Sequence, residues 1–178
     1  MGWRSTANRY GTVAVFIHWT TAIAVVILLV SGFRAAGMSS VADKTALLRM
    51  HVAVGISVLL LTGLRLAWWW LVDRKPADPE GSPRWQALAA SVVHKLFYLL
   101  ILVMAASGLG MLVLSGAGNI LFAGASGPLP VFTHFAPRIP HGIGARVLIA
   151  LIVVHLCAAL YHQLVRQDGL LARMGLGR

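Results

Sequence analysis

The sequence predicts an all-α integral membrane four-helix bundle, and three observations carry that reading. Of 178 residues, 58% are hydrophobic and only 11% are charged, whereas a soluble domain carries about 25% Asp, Glu, Lys and Arg. The apolar residues gather into four runs, each near the roughly 20 residues that cross a hydrocarbon core about 30 Å thick. Between the runs lie short basic or Pro- and Gly-rich segments, with no repeat, soluble domain or low-complexity tail. The whole chain, 1–178, therefore reads as one transmembrane domain.

The first run covers about 13–33 and ends at Gly32, Phe33 and Arg34. A basic segment precedes it and Ala35-Ala36-Gly37 follows, as in a signal peptide. Its 21 residues nevertheless exceed the usual h-region of about 7–15, so an uncleaved span is expected. The second run, about 50–72, is interrupted once by Arg65 and closed by Trp68, Trp69 and Trp70, a cluster suited to the membrane interface. The third covers about 92–115 and the fourth about 146–165.

Two connections complete the layout. Residues 73–86, with Pro76, Pro79 and Pro83, read as a surface loop. Residues 116–140 contain four Gly and four Pro and are expected to be mostly irregular, with Ile120, Leu121, Phe122, Val131 and Phe132 returning towards the interface.

Four spans put both ends of the chain on one side. Arg4, Arg9, Arg74, Lys75, Arg84, Lys95, Arg166, Arg173 and Arg178 fall on that side, nine in all, against five (Arg34, Lys44, Arg49, Arg138 and Arg146) on the other. The positive-inside rule then places both termini in the cytoplasm. The net charge of +10 is accounted for by topology and surface charge, and nucleic acid is not an expected partner. One cysteine, Cys157, excludes an internal disulfide, a CxxCH haem attachment and a multi-cysteine zinc or iron–sulfur site.

Six of seven histidines lie in or at the ends of the runs: His18, His51, His94, His141, His155 and His162. A lone intramembrane histidine is most simply a neutral ring bonded to a neighbouring helix, yet any ionisable group in hydrocarbon is also a functional candidate. Their joint arrangement favours the second account. His141 and His155 are 14 residues apart, about 40° short of four full helical turns and about 21 Å along the axis. They share a face and stand at two depths, a spacing that suits two stacked porphyrins.

Each iron held by two imidazoles needs a second ligand at matching depth on a facing helix. By the same rise, His18 lies about 13 Å in from Arg9 and His155 about 16 Å in from Arg166. His51 and His141 open the second and fourth spans just after Arg49 and Arg138. His18 with His155 is therefore assigned to an inner haem, and His51 with His141 to an outer one. His162 shares the His155 stripe but lies only about 6 Å from Arg166, and His94, beside Lys95, reads as equally shallow. For both, haem ligation, a quinone-side or propionate contact and a structural hydrogen bond remain open. His134 reads as a solvated loop residue. Gly55, Gly108, Gly110, Gly142 and Gly144 suit close approach of a flat macrocycle or of another helix equally well.

With these residues in view, the chain resembles the bacterial cytochrome b561 family of small, dihaem, quinone-linked membrane proteins. The resemblance rests on Arg9-Tyr10 followed by His18-Trp19, on Met50-His51-Val52-Ala53-Val54-Gly55-Ile56-Ser57, and on His94-Lys95 with Tyr98. It extends to His141, His155 and His162 followed by Arg166, Asp168, Leu170, Leu171, Arg173 and Met174. It covers nearly the whole chain, with 116–140 the least well matched. It implies two noncovalent b haems at His18, His51, His141 and His155 in a bacterial inner membrane. It also implies electron transfer between a quinone, ubiquinone in particular, and a periplasmic partner. Some members are similar to superoxide oxidases, which would make the chain an oxidoreductase. On the inner side, His162, Arg166 and Trp19 are the candidates to meet the quinone.

Independently of family, Arg34, Lys44, Arg49, Arg138 and Arg146 are opposed on the outer face only by Asp43. A basic rim over a low-dielectric entrance attracts anions, superoxide or an acidic protein among them; the same residues could instead neutralise haem propionates and anchor helices. Two rival readings are a cytochrome b subunit of a larger respiratory enzyme, such as a hydrogenase or formate dehydrogenase, and a haem-free proton or metal transporter. No carboxylate lies inside any run, which disfavours the transporter.

Overall fold

The computed structural model describes residues 2–78, 81 and 83–176. Pro79 and Arg178, used above, lie outside them. The elements are α1 (Thr12–Ala36), α2 (Val41–Leu71), α3 (Arg84–Leu114), the short α4 (Ala117–Phe122), a 3-10 turn (Phe132–His134), α5 (Arg138–Tyr161) running on as a π turn (His162–Arg166), and α6 (Leu170–Arg173). Among the described residues four helices are long and apolar enough to cross a membrane: Thr12–Ala36, Val41–Leu71, Arg84–Leu114 and Arg138–Arg166. Among the described residues there is no strand.

The helices outrun the apolar stretches that announce them. α2 starts at Val41, where the Ser40 hydroxyl accepts from the Asp43 amide at 3.4 Å. α3 starts at Arg84 behind Pro83, whose ring holds φ at −60°. α5 starts at Arg138, ahead of the apolar run from 146. Helical hydrogen bonding continues past the hydrocarbon boundary, so polar first turns are helical while invisible to an apolar window. His51 and His94 therefore each sit ten residues inside their helices rather than at the start, which corrects the shallow reading of His94.

The connection at 116–140 is also more ordered than expected. Gly116 turns the chain at φ 69°, a conformation that favours glycine, and α4 follows with Ala117 and Leu121 buried. Arg49 Nε donates to the Leu121 carbonyl at 2.5 Å, fastening α4 to α2.

α1 packs on α2, α3 on α5, and α2 on α3. In lipid no hydrophobic force drives helix on helix, so small residues at the contacts decide the faces. On α1 the buried set is Ala14, Ile17, Thr21, Val25, Ser31 and Ala35. Val25, Val58 and Leu148 form the core with Phe97, Leu100 and Ile101 packed around them. Val25 lies seven residues after His18, Val58 seven after His51, and Leu148 midway between His141 and His155. The core is thus one apolar layer between two histidine levels.

At the end carrying both termini, three segments are stitched together. Ala77 N–H donates to the Ala7 carbonyl at 3.1 Å, Tyr10 N–H to the Arg173 carbonyl at 3.2 Å, and Arg173 Nη1 to the Ala77 carbonyl at 2.6 Å. Buried Asp73 collects the Ser5 amide and hydroxyl (3.0 and 2.8 Å), the Trp68 indole (3.2 Å) and the Arg74 amide (2.8 Å). Burial alone would raise its carboxyl, but the Ser5, Arg74 and Trp68 hydrogen bonds outweigh it and hold Asp73 below the usual carboxylate value.

Candidate functional site

At the end distal to the termini, His51 from α2 and His141 from α5 face one another with ring centroids 6.3 Å apart and planes 61° apart. Each is held from the helix beside it. Ser31 Oγ of α1 lies 2.9 Å from His51 Nδ1, and Ser107 Oγ of α3 lies 3.0 Å from His141 Nδ1. The residue after each serine is glycine: a Cβ on Gly32 would stand 3.2 Å from His51 Cε1, and one on Gly108 would stand 3.3 Å from His141 Cε1. His51 and Arg138 line two cavities of about 200 and 510 Å³, the larger in the range of about 300–1,000 Å³ usual for cofactor pockets. Arg146 lines the smaller and Lys44 the larger.

Towards the termini, His18 from α1 and His155 from α5 have ring centroids 6.5 Å apart and planes 64° apart. Trp19 packs edge-on to His18 at 5.3 Å, while His94 and Phe97 both pack edge-on to His155 at 5.5 Å. His94 Nδ1 is occupied by the Ala90 carbonyl at 2.6 Å. Arg65 Nη1 lies 2.9 Å from His18 Nδ1. A guanidinium only donates, so this nitrogen of His18 accepts and the neutral ring carries its proton on Nε2; ligation of a metal through Nε2 would require that proton to move to Nδ1 and the Arg65 contact to open. Arg65 Nε is buried without a partner.

A metal bound on opposite sides by two imidazole nitrogens at about 2.0–2.1 Å needs ring centroids about 6–6.5 Å apart. Both pairs meet that requirement. Among the described residues no group of three or more His, Cys, Asp or Glu could hold a metal ion unaided. Two opposed imidazoles suit a metal that brings its other ligands with it, and the residues present fit haem b. On α5 the two levels are about 21 Å apart along the axis, with Leu148 and the apolar layer between them.

The remaining candidates are engaged in holding the chain's C-terminal segment. His162 Nδ1 lies 2.5 Å from Asp168 Oδ2, and the Trp19 indole donates to the Met174 carbonyl at 3.1 Å. Burial would raise the Asp168 carboxyl, but the His162 hydrogen bond, the Leu170 amide and the nearby Arg166 charge bring it below the usual range. Arg166 ends the π turn, and Gln167 follows with φ 51°. His134 is exposed in the 3-10 turn. On the distal rim, Arg49 is committed to Leu121 and Arg146 Nη1 to the Gly142 carbonyl at 2.9 Å.

Three residues at these sites were passed over in the sequence. Arg65 carried a signal: it follows His51 by 14 residues, the same interval that separates His141 from His155, and a lone cation inside a span marks function. Ser31 and Ser107 carried only a weak one, each as a Ser-Gly pair inside an apolar run.

A family model described as prokaryotic cytochrome b561 matches residues 9–177. Two curated relatives are similar. "Cytochrome b561 homolog 1" of Escherichia coli (strain K12) is 27% identical over 175 residues, covering 94% of this chain and 97% of that protein. "Cytochrome b562" of Cereibacter sphaeroides is 32% identical over 125 residues, covering 70% of this chain and 65% of that one.

Proposed function

The chain belongs to the prokaryotic cytochrome b561 family, and on that premise we propose that it carries electrons across a bacterial inner membrane through two b haems. His18 with His155 holds one, and His51 with His141 the other. The single observation that carries this is the pair of opposed imidazoles at two levels, 6.5 and 6.3 Å between centroids. When bound, haem supplies one-electron exchange at iron. Ligation of a haem by both imidazoles of a pair would leave its iron no open position for substrate, which would favour electron transfer over oxygen binding. The layer of Val25, Val58 and Leu148 excludes water between the levels, so an electron crosses without a proton path.

Both termini face the cytoplasm in this proposal. The distal end, with Arg138 and Lys44 lining its cavities, then draws an anionic partner from the periplasm, and superoxide is the partner proposed. Two superoxide ions give one electron each and leave as dioxygen; ubiquinone takes both electrons with two protons and leaves as quinol. The chain is in that case a superoxide:ubiquinone oxidoreductase. At the other end His162 and Arg166 meet the quinone head group, with Asp168 holding His162 Nδ1 and leaving Nε2 as the ring's free nitrogen. The test is quinol formation by the purified, haem-loaded chain supplied with a superoxide source and a short-chain ubiquinone. Quinol above the uncatalysed rate is expected. A dihaem chain that forms none, yet reduces quinone once a soluble protein partner is added, would overturn the superoxide reading and favour a subunit of a larger enzyme.

A further inference from the structure

The two histidine pairs are held differently at Nδ1. At the distal pair each Nδ1 stands beside a serine hydroxyl. The Ser31 hydroxyl lies 3.1 Å from the Leu28 carbonyl, to which it can donate while its oxygen accepts from His51 Nδ1 at 2.9 Å. The Ser107 hydroxyl is committed to the Val103 carbonyl at 2.7 Å, and its oxygen faces His141 Nδ1 at 3.0 Å. A carbonyl cannot donate, so the Met104 oxygen, 3.2 Å from the same nitrogen, independently fixes His141 as an Nδ1 donor. Both serines are buried, at 3% and 7% exposure. The adjoining Gly32 and Gly108 close on Cε1 of the same rings, so one Ser-Gly step on α1 and another on α3 each contact a histidine of the helix packed against it, α2 and α5. At the pair nearer the termini, Arg65 instead points a cationic donor at His18 Nδ1.

We propose that Ser31 and Ser107 are positioning residues that hold His51 and His141 as Nδ1–H tautomers with Nε2 free to ligate, and that with Arg65 they set the direction of electron flow. This rests on the bis-histidine reading above. An imidazole whose Nδ1–H is donated to an oxygen is a stronger electron donor to its metal, which stabilises the oxidised iron and lowers the distal potential. A guanidinium beside the other pair stabilises the reduced iron, which carries one positive charge less. Electrons therefore run downhill from the distal centre towards the termini.

The test is a potentiometric titration of the visible bands, with a His155→Ala background isolating the distal centre. In the wild type the distal centre is expected to have the lower midpoint. Ser31→Ala with Ser107→Ala is expected to raise the reduced-to-oxidised ratio of that centre about tenfold at a fixed poise, 59 mV for one electron. Ser31→Thr and Ser107→Thr, which keep the hydroxyl, are expected to restore it. Loss of the distal haem from the alanine variants but not the threonine ones would support the same role. Arg65→Gln is expected to lower the midpoint of the other centre. An unmoved distal midpoint in the alanine variants, or a distal midpoint above the other in the wild type, would overturn the inference while leaving the dihaem reading intact. A wild-type chain that binds no haem would instead overturn the reading beneath it.

Discussion

Replacing His155 by Ala is expected to remove one of two haems. His155 has three neighbours that could share an iron with it. His18 stands at 6.5 Å between centroids and His94 at 5.5 Å, against the roughly 6–6.5 Å that two opposed ligands require. His162 is seven residues further along the same helix, about 10.5 Å in rise, with Nδ1 already on Asp168 at 2.5 Å. His94 is too close and tied by Nδ1 to Ala90; His162 is too far. His18→Ala and His155→Ala should thus each halve the Soret absorbance per chain, whereas His94→Ala and His162→Ala should keep it within about a tenth of wild type. The assay is a pyridine haemochrome on detergent-purified variants at matched protein, with size-exclusion profiles to show that each is folded. Loss of one haem from the His162 or His94 variant, with His155→Ala still holding two, would refute the pairing and the depth argument behind it.

Further outcomes follow from other contacts. Asp73→Ala strips four hydrogen-bond donors of their acceptor and should cost about 3 kcal/mol, read by thermal or denaturant unfolding in detergent. Because the native Asp73 carboxyl lies below its ordinary value, its contribution should be present in full above pH about 4 and fall away as pH drops further towards the native value; wild type and Asp73→Ala should therefore converge in stability at acid pH. Gly32→Ala with Gly108→Ala puts methyl groups 3.2 and 3.3 Å from the distal rings, an overpacking of about 1–3 kcal/mol. Haem content should show loss confined to the distal site. Arg49→Ala frees α4 from α2, and limited proteolysis should then cut within 117–131 faster than in wild type.

Much of this architecture was legible in the sequence because bilayer thickness fixes the length of an apolar run, and the 14-residue interval on α5 fixes two levels without any structure. Depth counted from flanking arginines also brings His18 to His155 and His51 to His141. Helix starts were not legible, since the turns outside the hydrocarbon are polar and look like loops; that is why His94, ten residues into α3, was read as an end residue. Faces were hidden too. A span that is apolar all round gives no periodicity, and only small residues such as Ala14, Ser31 and Ala35 mark where helices touch. Arg65 was legible in principle as a lone cation inside a span that stands outside the topology count, but only the packing of α1 on α2 gives it His18 as a partner.

The most direct test of the central claim is the number of haems per chain in the wild-type protein, from a pyridine haemochrome with a reduced-minus-oxidised visible spectrum. Two b haems per chain, with both irons low-spin, is the result that two opposed imidazole pairs require. A chain saturated at one haem, or at none after expression with ample haem, would contradict it.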